Sequence, residues 1–372
     1  MITEEIDVET FREAARNELA PDNAFLAGWH PSSVTDDTVE PGVGKLRPWT
    51  KAGREYHGFY KTFYCTLAWY KLWKIRKFDQ TSWIPDKNII GNISERINVL
   101  INYALDNVDE GFYDDERQID PRKWLANYDP DLISRYTATD YLFQNITNTP
   151  ITNVLDFGSG IGRQACQWFD PENGDEGVNF ISVDAVESLY MLQNKIYSLL
   201  YPEHLREYCF DQGAFQELDL SKPSKMMYHL PTWRMDRLPS RSVDLIICVQ
   251  VLNELNESTV RYLLKQFERV AKQDCVLYIR DNELGYTPGH NLRVGRLLLQ
   301  HGFELLFRYQ GLEARTEGKP RVWAYTGVEK STAHLGLKHR LARALSYSGD
   351  SYNSRLLMKA VRAKVSDWGM PL

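Results

Sequence analysis

Asp156, Gly158, Gly160 and Gly162 stand at alternate positions in NVLDFGSGIGR (153–163), straight after an apolar, β-branched run. Glycines at a strand-to-helix junction do two things. They let the backbone take turns that a side chain would forbid, and they leave free helix N–H groups open to a ligand. An acid lies inside the run, two residues before the first glycine. Arg163 occupies the place where the dinucleotide fingerprint needs Gly or Ala, so that pattern is not met. The next apolar run, VNFISV (178–183), leads to Asp184, a carboxylate placed to accept hydrogen bonds from ribose hydroxyls. The chemistry suggested is a cradle for a nucleoside-bearing cofactor.

Such a cradle needs strands to hold it. After Pro150 the sequence alternates apolar runs at 151–157, 178–183, 226–232, 243–249 and 275–280 with helical patterns at 161–169, 186–200, 257–271 and 291–301. Alternating strands and helices imply a parallel α/β sheet with right-handed crossovers. Two further runs, FELLFRYQ (303–310) and RVWAYTG (321–327), follow with no helix between them, so an antiparallel hairpin is expected at the sheet's end. Upstream, DVETFREAARNELA places Val8, Phe11, Ala15 and Leu19 on one helical face. The aromatic stretch 56–78 reads as a helix whose rings are core or, more sharply, a cap over substrate. NISERINVLINYAL and DPDLISRYTATDYLFQNI read as two more helices, the second leading into the glycines. Helices are also expected at 335–346 and 352–365. Three regions result: a helical N-terminal cap or substrate region (1–145), an α/β domain (146–329) and a basic helical extension (330–372).

VLDFGSGIG, FISVDA and LPSRSVDLIICVQVLNEL resemble motif I, the acidic loop and motif IV of the class I S-adenosylmethionine-dependent methyltransferases. The resemblance covers about residues 150–327 and implies the Rossmann-like sheet of that superfamily, with S-adenosyl-L-methionine as cofactor. By it, Asp156 and the backbone of Gly158, Ser159 and Gly160 hold the methionyl part. Asp184, with Ala185 after it, takes the ribose diol. Thr232, Trp233 and Arg234 flank adenine, and Gln250 and Val251 line the methionine. An Arg or Tyr from the preceding helix often covers the cofactor carboxylate, which points to Arg135 in SRY (134–136). The sequence departs from the family near adenine, where the usual acid before LP (238–239) is missing and Asp236 stands too close.

Motif IV lacks the Asn/Asp-Pro-Pro-aromatic loop of the adenine and glutamine amino methyltransferases. Its QVLNEL resembles the VLxHL segment of small-molecule enzymes, with Glu254 in the histidine's place. Oxygen methylation needs a base, or a metal that acidifies the hydroxyl. Candidates are expected on loops at the C-terminal edge of the sheet. RDNELGYTPGHNLRVGRLL (280–298) supplies His290, whose imidazole titrates near neutrality, as the first base. Glu254 is a second, and Asp281 with Glu283 could instead hold a divalent ion. The long N-terminal part and extra tail resemble sugar O-methyltransferases in layout. A small-molecule acceptor is therefore the leading expectation. A protein or RNA methyltransferase, or a non-catalytic cofactor-binding scaffold, are the alternatives.

Composition sets outer limits. Five scattered cysteines form no CxxC pair, which argues for reduced thiols and against zinc knuckles. Cys248, before Gln250, reads as core. No apolar run approaches the ~20 residues of a membrane span, and the N-terminal residues lack a basic start followed by an apolar stretch. A cytoplasmic protein without membrane contact is expected. Net charge is −6, which argues against a general nucleic-acid binder. Residues 330–372 carry eight Lys or Arg against two acids, so the tail is +6 and the remainder −12. A homodimer formed through this tail is a further expectation.

Overall fold

The computed structural model describes residues 5–18, 56–73, 87–108, 113–115, 118–145, 150–169, 177–209, 218–252, 255, 257–281, 294–308 and 319–327. The expected tail helices, and with them the basis for a dimer, lie outside the described residues. Helices α1 (Val8–Glu18), α2 (Phe59–Trp73), α3 (Lys87–Asp106), α4 (Pro121–Ala126) and α5 (Asp131–Gln144) precede the first strand. Then come β1 (Asn153–Phe157), α6 (Ala165–Trp168), β2 (Asn179–Asp184), α7 (Glu187–Leu200), β3 (Leu205–Glu207) and β4 (Met227–Pro231). A 3-10 helix (Thr232–Arg237) leads to β5 (Val243–Val249), α8 (Glu257–Val270), β6 (Ala271–Asp281), α9 (Val294–Gln300), β7 (Phe303–Arg308) and β8 (Lys319–Tyr325). Among the described residues, no helix is long and apolar enough to cross a membrane.

The strands form an eight-stranded sheet in the order β3-β4-β2-β1-β5-β6-β8-β7. All neighbours are parallel except β6–β8 and β8–β7, so the expected antiparallel hairpin closes one end. Chain order reverses at β1, between β2 and β5. Ligands of open parallel sheets bind at such a point, outside the carboxyl ends of the strands.

Both faces of the sheet are buried, which explains its continuous apolar runs. Alternate residues point to opposite sides. Val154, Leu245, Ile247, Val276 and Tyr278 share one core with Phe63, Tyr64 and Leu67 of α2 and Ile93 and Ile97 of α3. Leu155, Ile181, Ile246, Cys248, Leu277 and Ile279 face the other way, against α8 and α9. On α8, Val260, Leu263, Leu264 and Phe267 are fully buried at helical spacing. Each such side chain contributes about 1.5–3 kcal/mol, so an Asp at 263 would detach that helix. Among the described residues of the aromatic stretch, Phe59, Tyr60, Phe63 and Tyr64 are core.

One expectation needs correction, and two short elements went unread. The helix expected over 161–169 shrinks to Ala165–Trp168, because Gly160 and Gly162 take φ of +61° and +69° and the chain turns before it coils. Strand β3 is only three residues long, too short for any periodicity. Helix α4 carried a readable start: Asp120 accepts from the backbone N–H of Arg122 (3.0 Å) and Lys123 (3.3 Å), with Pro121 behind it.

Candidate functional site

Asp156, Ser182 and Asp184 alternate with core residues on the sheet face covered by α2, α5 and α7, at the carboxyl ends of β1 and β2. The glycine loop folds over them. Gly158 N–H donates to the Val183 carbonyl (2.8 Å), which ties the loop to β2. Two of its glycines are required by protein packing as well as by backbone. A Cβ on Gly158 (φ +74°) would lie 2.3 Å from Val251 Cγ2, and one on Gly162 would lie 2.6 Å from the Tyr197 hydroxyl. Gly160 is different, with only the Tyr70 hydroxyl at 4.0 Å. It borders a small cleft lined by Tyr70, Tyr136, Asp156, Gly158, Ser159, Arg163, Gln164, Val249, Gln250 and Arg280.

Asp156 is buried, and its Oδ2 has no hydrogen-bond partner among the described residues. Burial pushes its carboxyl up to about 7, against the pull of Arg163. An orphaned buried carboxylate oxygen costs about 1–3 kcal/mol, and a cation or hydrogen-bond donor bound in the cleft would relieve it.

Asp184 holds the loop itself. Its Oδ1 accepts from the N–H groups of Ala185 (2.8 Å) and Val186 (3.0 Å), and its Oδ2 from Gly160 N–H (3.1 Å) and Gln193 Nε2 (2.9 Å). A carboxylate offers about four lone-pair sites, and protein donors fill them all here. A ribose diol reaches Asp184 only by displacing some of them. Burial raises this carboxyl despite its four donors.

Sequence reasoning missed the charged centre beside the cleft. Asp140 of α5, almost fully buried, accepts hydrogen bonds from Arg163 Nη2 (2.6 Å), Arg280 Nη2 (3.1 Å), Gln164 Nε2 (3.0 Å) and the Tyr278 hydroxyl (2.5 Å), with Arg280 Nε in ion-pair range at 2.9 Å. The two guanidinium groups flank the Tyr136 ring at 4.7 and 3.7 Å from its centroid, a cation–π arrangement. Burial pulls Arg163 down, but the charge of Asp140 more than offsets it and its pKa rises. Arg135, expected to cover the cofactor carboxylate, is exposed on the outer side of α5. Its neighbour Tyr136 faces the cleft, and Arg163 and Arg280 supply the positive charge there. The signals were a charged residue ending the run CVLYIR and the arginine that breaks the glycine pattern.

Thr232, Trp233 and Arg234 form the buried start of the 3-10 helix after β4. Helix α1 lies over them: the Phe11 ring sits 5.4 Å from Trp233 and 4.7 Å from Tyr190. Arg12 clamps Glu187 with two bonds of 2.8 and 2.7 Å. The N-terminal segment therefore covers the side of the sheet where adenine was expected. Gln250 takes φ +60° just past β5 and its N–H donates to the Arg280 carbonyl (3.0 Å). Val251 rests on Gly158, as above. Asp281 ends β6, its backbone paired with Lys319. His290 and Glu254 lie outside the described residues. None of the five cysteines is in a disulfide, and Cys248 is core as expected.

Neither the protein-family models nor the curated proteins give a match to this sequence. Among solved structures, the chain is similar to a SAM-dependent methyltransferase from Aquifex aeolicus, at 18% identity over 53% of this chain and 98% of that one, with TM-score 0.33. It is also similar to the pyocyanin biosynthetic protein PhzM (15% identity, 53% and 58%, TM-score 0.34). A third is a TehB-like SAM-dependent methyltransferase from Corynebacterium glutamicum (13% identity, 50% and 86%, TM-score 0.34). Strand order, strand direction and the antiparallel end are those expected from the motif resemblance. The mostly parallel sheet with its antiparallel end has the Rossmann-like architecture that the motif resemblance implies. Which reaction it serves has to be read from the site.

Proposed function

We propose that this chain binds S-adenosyl-L-methionine over the glycine loop and methylates a hydroxyl of a small molecule, of the sugar or natural-product kind. The observation that carries the reading is the orphaned Asp156 Oδ2 beneath a glycine loop at the sheet's reversal point. That oxygen suits the ammonium of a methionyl group, and the guanidinium groups of Arg163 and Arg280 suit a carboxylate. Asp156, Gly158, Ser159 and Gly160 would hold the methionyl part, Asp184 and Ala185 the ribose side, and Gln250 and Val251 the rim. When bound, the cofactor supplies an electrophilic methyl group on its sulfonium. His290 would take the proton of the acceptor hydroxyl. Glu254, or a metal held near Asp281, are the alternatives to that base. The acceptor would be seated by the 1–145 region, in cytoplasmic surroundings, with 330–372 joining two copies.

Titration calorimetry with S-adenosyl-L-methionine tests the first half. A labelled-methyl screen over sugars and phenols tests the second. Binding without transfer to any acceptor would favour a scaffold role. His290→Ala should bind cofactor normally and turn over about 10²–10⁴-fold more slowly. An unchanged rate in that variant removes the histidine from the mechanism.

A further inference from the structure

A buried polar chain runs from the far edge of the sheet to the glycine loop, and no residue of it was singled out from the sequence. Gln193, on α7 and fully buried, donates through Nε2 to the Gly160 carbonyl (2.7 Å) and to Asp184 Oδ2 (2.9 Å). A carbonyl only accepts, so the amide orientation follows: Oε1 must face the other way. There it meets His229 Nε2 (3.1 Å) on β4 and the Ser182 hydroxyl (3.2 Å). The opposite ring nitrogen of His229, Nδ1, meets Glu207 Oε2 (2.6 Å) on β3. Glu207 is fixed in turn by Asn194 Nδ2 (2.8 Å), Cys209 N–H (2.9 Å) and the Tyr190 hydroxyl. The Tyr190 ring stacks on His229 at 3.9 Å. The side chains of Glu207 and His229 are fully buried.

We infer that Glu207, His229 and Gln193 are positioning residues that set the conformation of the glycine loop. Only the last link touches the loop, and it holds both the carbonyl of Gly160 and the carboxylate that accepts its N–H (3.1 Å). The Gly160 carbonyl and the Asp184 carboxylate orient the Gln193 amide with its NH₂ toward the loop, so His229 Nε2 must be the donor that holds the amide oxygen, and Glu207 fixes the ring through its other nitrogen. Flipping the amide would set oxygen against oxygen at both Gly160 and Asp184. A fully connected buried network specifies one arrangement. Here that arrangement is the left-handed turn at Gly160 (φ +61°). The effect on cofactor affinity rests on the proposed function; the effect on the loop does not.

Hydrogen exchange of the 156–163 peptide and cofactor affinity, measured on the full chain, test this. Gln193→Leu should speed exchange of that peptide and weaken S-adenosyl-L-methionine binding by about 10–100-fold, while kcat at saturation stays within about threefold. His229→Gln keeps a donor facing Gln193 and should preserve loop protection, whereas His229→Leu should lose it. A merely structural histidine would make both substitutions equivalent. Should His229→Leu fail to fold, Gln193→Met gives the same reading, because its side chain keeps the length but has no N–H for the Gly160 carbonyl. Loop exchange within twofold of the parent in Gln193→Leu and Gln193→Met overturns the inference. If the parent binds no S-adenosyl-L-methionine, the functional reading fails and loop exchange alone still decides this one.

Discussion

Asp156→Asn should make the cofactor-free protein more stable at alkaline pH and poorer at holding its ligand. Burial raises the carboxyl from 3.8 to about 7 in the folded protein. Its folded pKa therefore lies above the unfolded one. The stability it contributes is fully present below pH 3.8 and is lost as pH rises through 7. A tenfold change in proton affinity is worth about 1.36 kcal/mol, so the rise from 3.8 to about 7 amounts to roughly 4 kcal/mol. Asn has the same shape and no proton to lose. Denaturant unfolding of parent and variant from about pH 4 to about pH 8 should therefore show the difference moving in the variant's favour. The total change should reach ~4 kcal/mol, with a slope of at most about 1.4 kcal/mol per pH unit. The charges of Asp184 and Asp140 also push the Asp156 carboxyl up, so the difference includes its coupling to them. The same mechanism requires that ligand binding by the parent releases a proton near about pH 6–7, because a cation beside Asp156 favours its ionised form. Calorimetry in buffers of different ionisation enthalpy reads that proton directly. A parent–variant difference that stays flat with pH refutes the reasoning.

Gly158→Ala should cost about 1–3 kcal/mol for the positive φ and a similar amount for the contact with Val251, and trimming Val251 to Gly should recover only the second part; full recovery would mean the backbone is not strained. Asp140→Ala leaves two guanidinium groups buried against Tyr136 and should destabilise by about 3–5 kcal/mol, measured by urea unfolding; a loss under about 1 kcal/mol would show that the arginines find other partners. Phe11→Ala removes a side chain that is 1% exposed and should release α1, so limited proteolysis should cut within 5–18 while the sheet stays intact. Equal protease resistance in parent and variant would show that Phe11 does not hold the segment down.

The sheet could be read from the sequence because its strands are buried on both faces and announce themselves as apolar runs. The glycine loop could be read because positive φ and a Cβ-free approach to Val251 leave glycine as the residue that fits. The charged centre was harder. Asp140, Arg163 and Arg280 lie on three separate elements, and a single sequence carries no record of which charges meet. SRY (134–136) drew attention to Arg135, which is exposed, while its neighbour Tyr136 lines the cleft. On α5 the buried positions 136, 140 and 144 follow helical spacing, but they are Tyr, Asp and Gln, so hydropathy does not mark the inward face. The Gln193–His229–Glu207 chain stayed hidden for the same reason. Helix α4 was a different failure: its Asp-Pro start was plain, and only its six-residue length defeated periodicity.

The docking of α1 also orders events during synthesis. Arg12 meets Glu187 across 175 positions of chain, and Ile6 meets Asn194 across 188. Trp233, which packs on Phe11, is made later still. At about 5–20 residues per second, roughly 10–40 s separate the emergence of α1 from that of its partners. Throughout that interval the first helix has no native surface for Phe11, and the nascent chain carries an amphipathic helix open to chaperones. Helix α1 leaves the ribosome well before the surface it docks on exists.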